Sequence, residues 1–117
     1  MTLLGVAPML TVTAIEPAIE FYREILGFQC ISSFEEWACM NLDGVEVMFT
    51  LPNRHLPFTK PMMTGSLYFK TDDADSLWLR LKDRCQVEYP LEDFEYGMRE
   101  FAIRDNSGYL LQFGQEI

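Results

Sequence analysis

Side chains able to carry chemistry are few in this sequence. The single imidazole, His55, lies in a Pro-rich stretch, and the three cysteines show no CxxC spacing, so neither a structural zinc site nor a disulfide framework is predicted. A Ser-His-Asp triad would also need His55, and no G-x-S-x-G motif accompanies it. Adjacent carboxylates usually serve solvation or helix capping, so such pairs do not indicate acid/base catalysis. A single Glu46 or Glu100 acting as a base stays open. The adjacent pairs are Glu35-Glu36, Asp72-Asp73 and Glu92-Asp93.

The charge balance narrows the classes of partner. The chain has 117 residues, with 9 Lys and Arg against 18 Asp and Glu, for a net charge of -9. Such a surface repels phosphates and anionic headgroups, so nucleic acid and membranes are not expected as partners, whereas a cationic ligand would be favoured. No apolar run approaches the roughly 20 residues of a membrane span, and unpaired cysteines suit a reducing compartment. We therefore expect a soluble, cytoplasmic protein.

The elements that must position these side chains follow the same order twice. Each half predicts a β-α-β-β-β module, with a turn glycine, Gly44 or Gly108, before its last strand. The first module has strand Met9–Thr13, a helix opened by Glu16-Pro17 and ended at Gly27, and strands Gln29–Ser33, Trp37–Asn41 and Val45–Leu51. The second has strand Ser66–Lys70, a helix capped within 71–73 with apolar positions Leu77, Trp78, Leu81 and Cys85, and strands Gln86–Tyr89, Arg99–Arg104 and Tyr109–Phe113.

These modules predict an α+β fold. We expect a single domain, 1–117, in which modules at about 6–51 and 65–115 are joined by a Pro-rich loop at 52–64 and form a curved mixed sheet around a cleft. Period-two alternation turns Val45, Val47, Phe49, Leu111 and Phe113 toward the helices. The same alternation turns Glu46, Met48, Leu110 and Gln112 toward the cleft, together with Tyr68 on the face of Ser66.

The residues predicted to bind a ligand lie on that second face. Trp37 and Tyr96 offer rings for stacking, and inward carboxylates could pair with amines. Core packing remains the alternative for Trp37 and for Tyr96, which is expected in the acidic loop Glu92–Glu95 at the cleft or a dimer rim. For Glu100 the alternative is an ion pair with Lys70, Arg99 or Arg104. Phe58 and Phe94 are expected in loops, as a lid or an oligomer contact. The full candidate set is Trp37, Glu46, Met48, Tyr68, Tyr96, Glu100 and Gln112.

Three segments resemble a known superfamily. Residues 18–28 (AIEFYREILGF), 68–75 (YFKTDDAD) and 104–113 (RDNSGYLLQF) are similar, in order and spacing, to signatures of the vicinal oxygen chelate superfamily of glyoxalase I, extradiol dioxygenases, and fosfomycin- and bleomycin-resistance proteins. Its metal-dependent members carry His on the first and fifth strands and Glu on the last. The corresponding residues here are Pro8, Ser66 and Gln112, so the resemblance implies neither a metal site nor another cofactor.

The resemblance is strongest to the metal-free bleomycin-resistance branch. It implies a small, acidic homodimer with clefts shared between protomers, which sequesters a cationic or aromatic ligand and confers antibiotic resistance without altering the drug. A diverged glyoxalase-like or dioxygenase-like enzyme with an atypical metal site at His55, Glu46 or Glu100 stays open as the alternative. So does an interaction module whose cleft is vestigial.

Overall fold

Each half of the chain forms its own four-stranded mixed sheet in the computed structural model, which describes residues 1–117. The halves are separate compact units, 1–61 and 62–117. In each unit the strands, numbered along that half of the chain, lie in the spatial order first, fourth, third, second. In each unit the first strand pairs in parallel with the last strand, and the other pairs are antiparallel. The predicted α+β fold of two βαβββ modules is confirmed.

The helices and strands occur in the predicted order, but several of them begin or end at residues other than those predicted. The predicted acidic loop Glu92–Glu95 is wrong, because the strand that begins at Gln86 continues through Phe94. Cys85 lies beyond the end of the helix to which it was assigned. The first module consists of β1 Met9–Thr11, α1 Ile15–Glu20 continued by a π-helical turn Phe21–Ile25, β2 Gln29–Phe34, β3 Trp37–Leu42 and β4 Val45–Thr50. The second consists of β5 Leu67–Lys70, α2 Ala74–Leu81, β6 Gln86–Phe94, β7 Met98–Arg104 and β8 Leu110–Glu116.

Aromatic side chains fill the core between each helix and its sheet. In the first module the fully buried ring of Tyr22 makes edge-to-face contacts with Phe28 and Phe49, at centroid distances of 5.6 and 4.8 Å. In the second, Trp78 of α2 packs on Phe101 at 5.3 Å. Such aromatic pairs add to the free energy gained by burying their apolar area. One face of each sheet is thereby covered by its helix.

Local sequence determines where the elements begin and turn. Asp73 caps α2, since its carboxylate accepts a hydrogen bond from the Ser76 amide at 3.1 Å. The β3–β4 hairpin turns through Asp43 and Gly44, with φ of 53° and 84°. Two positive φ angles define a type I′ turn, whose twist matches that of the strands. Both predicted signals are confirmed.

A β-bulge occurs at the matching place in each module. Cys30 and Ser32 face Met40 and Cys39, which are consecutive, so Ile31 is an extra residue in β2. Val87 and Tyr89 face Ile103 and Ala102 in the same way, so Glu88 is an extra residue in β6. Because an extra residue reverses which side chains face which side, residues beyond each bulge exchange faces.

The face of each sheet opposite its helix is called here its helix-free face. The predicted helix-facing side chains Val47, Phe49, Leu111 and Phe113 are buried, whereas Val45 at the hairpin end is 46% exposed. On the helix-free faces Glu46, Met48, Leu110 and Gln112 are half-buried. The chain contains no helix with the length and apolar character needed to cross a bilayer.

Candidate functional site

A buried carboxylate lies at the centre of the second module's helix-free face. Glu100 on β7 is only 2% exposed, and three tyrosine hydroxyls donate hydrogen bonds to it. Tyr68 of β5 and Tyr96 of the β6–β7 hairpin reach Oε1 at 2.7 and 2.9 Å, and Tyr89 of β6 donates to Oε2. The cluster therefore joins an outer strand on each side of the sheet to its middle. We call it the tyrosine–glutamate cluster.

The cluster keeps its negative charge on the carboxylate. Burial raises the pKa of Glu100, but the hydrogen bonds from the three tyrosines together outweigh burial, and the net pKa lies below its ordinary value. Burial and the nearby carboxylate raise the pKa of Tyr89 to about 12, and they raise the pKa of Tyr68 and Tyr96 as well. At neutral pH each phenol thus keeps its proton and Glu100 is ionised.

Gln112 and Ser66 extend the cluster. Gln112 lies beside Tyr68 in the parallel β5–β8 pair and donates from Nε2 to the Tyr89 hydroxyl at 2.8 Å. The Ser66 hydroxyl donates to Gln112 Oε1 at 2.5 Å. Both ends of the amide are therefore engaged, and its orientation is determined by its neighbours. This side chain is thus part of a hydrogen-bonded chain from Ser66 to Glu100.

Gly114 makes room for Tyr68 to reach the carboxylate. It faces Glu100 across the β7–β8 pair, and the Tyr68 ring passes directly over it. A Cβ atom at Gly114 would stand 1.9 Å from the Tyr68 hydroxyl and 2.6 Å from Cζ. No other residue type leaves that space free. The Tyr68–Glu100 hydrogen bond therefore depends on this glycine.

A pocket of about 340 Å³ opens beside the cluster. At its rim the rings of Phe94 and Tyr96 stack in parallel, with centroids 5.4 Å apart and planes 2° apart, and Tyr96 is 62% exposed. No basic side chain lines this pocket, and its two carboxylates make it anionic. Its lining residues are Tyr89, Glu92, Phe94, Tyr96, Glu100 and Gln112.

Two nearby arginines are held by other carboxylates. Arg99 binds Asp93 at 2.7 Å and Asp75 at 3.1 Å, and Arg104 binds Glu88 at 3.0 Å. The alternative in which Glu100 pairs with one of these arginines or with Lys70 is wrong. Its partners are neutral phenols, so its charge is stabilised without being cancelled by a cation.

The seven predicted residues divide between the two modules. Tyr68, Tyr96, Glu100 and Gln112 come together in the tyrosine–glutamate cluster. The others, Trp37, Glu46 and Met48, belong to the first module's sheet.

The first module's helix-free face is built from rings and sulfur. Trp37 stacks on Phe34 with centroids 5.7 Å apart. Met48 lies between Met9 and Cys39 on the neighbouring strands. The Cys39 thiol donates to Glu46 at 3.2 Å, and burial followed by this hydrogen bond raises the pKa of Cys39 to about 11. This thiol is protonated at neutral pH and is a poor nucleophile.

Tyr89, Phe94 and Gly114 were not among the predicted site residues. In a regular strand Tyr89 would share the face of Val87, which lies opposite the core residue Ile103. The bulge at Glu88 turns Tyr89 to the helix-free face instead. Phe94 was expected in a loop, but it is the last residue of β6. The only signal for Phe94 in the sequence is its position between Asp93 and Glu95, four residues after Pro90.

The residues at the superfamily's metal positions do not fit a metal ion. The Pro8 carbonyl accepts from the Met48 amide at 2.9 Å, while Ser66 and Gln112 hydrogen-bond to each other. Neutral hydroxyl and amide groups are weak ligands for a divalent ion compared with imidazole and carboxylate. No group of three or more His, Cys, Asp or Glu side chains is arranged to hold a metal, and His55 is exposed.

The family is established by comparison with known proteins. The model of the Glyoxalase/Bleomycin resistance protein/Dioxygenase superfamily matches residues 6–113. The chain therefore belongs to this superfamily. None of the curated proteins compared with the chain matches it significantly.

Solved structures share the fold at low sequence identity. A bleomycin-binding protein from bleomycin-producing Streptomyces verticillus, complexed with copper(II)-bleomycin, has a TM-score of 0.75 and 20% identity, with 97% of this chain and 96% of that chain covered. A lactoylglutathione lyase from Agrobacterium tumefaciens has a TM-score of 0.74 and 17% identity, covering 98% and 96%. A protein of unknown function from Agrobacterium tumefaciens str. C58 has a TM-score of 0.83 and 20% identity, covering 100% and 97%. Binding proteins and enzymes thus share this fold.

Proposed function

We propose that this protein is a metal-free binding protein of bleomycin-resistance type, which sequesters a cationic, aromatic small molecule without transforming it. The observation that carries the proposal is the pocket beside Glu100. It combines two carboxylates with a pair of stacked rings and has no basic side chain in its lining. Carboxylates attract cations, and aromatic faces add cation–π and stacking interactions. A structural relative of the same fold was solved with a bleomycin complex, which supports a ligand of this class.

The hydrogen bonding of Glu100 favours binding over catalysis. A general base needs a pKa near the working pH and a free lone pair directed at substrate. Glu100 accepts three hydrogen bonds, and the pKa of its carboxyl lies below the ordinary value. Its charge therefore serves to attract a ligand, while its basicity is reduced. The tyrosine–glutamate cluster does not support the alternative hypothesis of a diverged enzyme.

On the first module, Trp37, Glu46 and Met48 remain proposed ligand-binding residues. Trp37 with Phe34 offers a second pair of stacked rings, 64% exposed at Phe34. Trp37→Ala should weaken binding of an aromatic ligand if this surface takes part. Unchanged affinity in that variant would confine the site to the second module.

We also propose a cytoplasmic homodimer. The three cysteines are free, which suits a reducing compartment, and apolar side chains of the first module, including Met9 and Ile31, are more than half exposed. Light scattering coupled to size-exclusion chromatography would measure a mass of twice 13.6 kDa for a dimer. A mass of one chain at working concentration would count against this part of the proposal.

The binding proposal is tested by calorimetry and thermal unfolding with a bleomycin-class glycopeptide and with benzamidine as a small planar cation. A ligand that binds only the folded protein stabilises it by RT ln(1 + [L]/Kd), so the melting temperature rises with the logarithm of ligand concentration once the site is saturated. Glu92→Gln removes one pocket charge at an exposed position, and Glu20→Gln removes the same charge from exposed α1 as a matched control. We expect about a fivefold weaker affinity in the first variant, equal to about 1 kcal/mol, and no change in the second.

Two results would overturn the proposal. One is the absence of binding by every cationic aromatic probe at millimolar concentration. The other is tighter binding of an anionic ring such as benzoate than of benzamidine, since the pocket carries two carboxylates.

A further inference from the structure

We infer that the pocket recognises its ligand by the N–H groups the ligand donates, and that an aryl amidinium or guanidinium therefore binds more tightly than a quaternary ammonium of the same charge. This inference rests on the proposed function and narrows the ligand class of the same site. It follows from the direction of every hydrogen bond in the tyrosine–glutamate cluster.

The protons of all three tyrosines are already committed. An ionised carboxylate is an acceptor only, so Tyr68, Tyr89 and Tyr96 must each direct the single O–H proton at Glu100. A phenol that donates inward presents only oxygen lone pairs outward. At Tyr96, which lies at the pocket rim, those lone pairs face any entering ligand. A ligand must supply the proton for a new hydrogen bond there.

The amide in the pocket is oriented by its neighbours. The Ser66 hydroxyl donates to Gln112 Oε1, which leaves Nε2 on the side of the Tyr89 hydroxyl, to which it donates. Tyr89 thus accepts one hydrogen bond and donates another. One N–H of Gln112 is the sole remaining side-chain donor among the six residues that line the pocket. The pocket therefore offers a ligand more hydrogen-bond acceptors than donors.

Glu92 is the carboxylate of the pocket that is free to accept hydrogen bonds from a ligand. Its carboxylate lies at an exposed position, and the Phe94 ring beside it contributes no hydrogen bond. A planar amidinium or guanidinium can give two parallel N–H bonds to a carboxylate and lay its ring against an aromatic face. A trimethylammonium group keeps the positive charge but has no N–H to give. A positive charge without an N–H group forms no hydrogen bond with these acceptors.

The experiment compares two ring cations of equal charge. Benzamidine and phenyltrimethylammonium are titrated into the full chain by calorimetry, with benzoate as the anionic reference. We expect benzamidine to bind at least about tenfold tighter than phenyltrimethylammonium, because charge-assisted hydrogen bonds are lost in the latter. Equal affinity of the two cations would overturn this inference and leave the proposed function standing. Failure of both cations to bind would overturn this inference, and it would overturn the proposed function as well only where the bleomycin-class glycopeptide also fails to bind.

A variant locates the preference in the pocket. Glu92→Gln lies at an exposed position and leaves the buried cluster intact, so it should fold, and it should bring the affinity ratio of the two cations toward one. Glu20→Gln, with the same change of net charge, should keep the ratio of the parent protein. A full ratio retained in Glu92→Gln would contradict the assignment of Glu92 as the carboxylate that accepts the N–H groups.

Discussion

Replacing Gly114 by alanine tests the arrangement of the cluster directly. The new Cβ atom would lie 1.9 Å from the Tyr68 hydroxyl, so one of the two must move. The Tyr68 side chain is 40% exposed and its hydroxyl is the far end of a flexible group, so the ring rather than the backbone gives way. The expected damage is the loss of one hydrogen bond to Glu100, and the sheet itself should persist.

The size of the effect follows from two opposing contributions. A hydrogen bond to a charged group contributes about 1.5–3 kcal/mol to stability. Glycine within a strand costs about 0.5–1 kcal/mol relative to alanine, and the substitution recovers that amount. We therefore expect the free energy of unfolding to fall by about 1–2 kcal/mol in Gly114→Ala. With a urea m-value of about 2 kcal/mol/M, the midpoint should fall by about 0.5–1 M.

A double-mutant cycle with Tyr68→Ala separates this cause from others. Without the ring, the methyl group at position 114 meets no obstacle from Tyr68, so Gly114→Ala should be neutral or slightly stabilising in that background. Gly65→Ala serves as the control, because a Cβ at Gly65 has no atom within 4 Å. The reasoning is refuted if Gly114→Ala leaves the parent unchanged, or if it destabilises the Tyr68→Ala protein equally.

Other consequences concern charge, thiol reactivity and the turn. Because the pKa of Glu100 is lowered in the folded protein, its contribution to stability is complete above the ordinary glutamate pKa and is lost as the pH falls through the lower folded value. Urea unfolding at a series of pH values should therefore show a loss of stability at acid pH in the parent protein and a smaller loss in Glu100→Gln. Iodoacetamide should label the half-exposed Cys30 faster than the buried Cys39, whose pKa is raised to about 11, as measured by peptide mass spectrometry; equal rates would contradict this. Gly44→Ala, at φ 84°, should lower the unfolding free energy by about 1 kcal/mol, and a smaller loss than in Gly65→Ala would contradict the turn assignment.

The duplicated fold was predictable because its signals are local. Turn residues such as Asp43-Gly44 and the cap at Asp73 act over a few residues, and alternation along β4 and β8 gives the faces of Met48 and Gln112. The inward direction of Glu100 on β7 is confirmed as well. These features need no knowledge of distant contacts.

The composition of the cluster was not predictable in the same way. Its three tyrosines come from β5, β6 and a hairpin, and the distances that join them to Glu100 arise only when the sheet is assembled. Tyr89 reaches the cluster only through the bulge, for which the sequence around Glu88 carries no distinctive residue. The role of Gly114 depends on a ring 46 positions away, which no local pattern encodes.

The paired bulges have a consequence for protein engineering. Both β2 and β6 carry an extra residue at the same register, and β6 has a second register shift between Tyr89 and Glu92. The strand pairings align Met9 with Tyr68, Ser32 with Tyr89, Trp37 with Glu100, Met48 with Gln112, and Thr50 with Gly114. The two halves thus have the same arrangement of strands, but the helix-free face is apolar and sulfur-rich in the first half and anionic in the second. Five substitutions in the first copy, each to its counterpart in the second, would place the Tyr68, Tyr89, Glu100, Gln112 and Gly114 residue types at matching strand positions, whereas Tyr96 of the β6–β7 hairpin has no counterpart among these pairs.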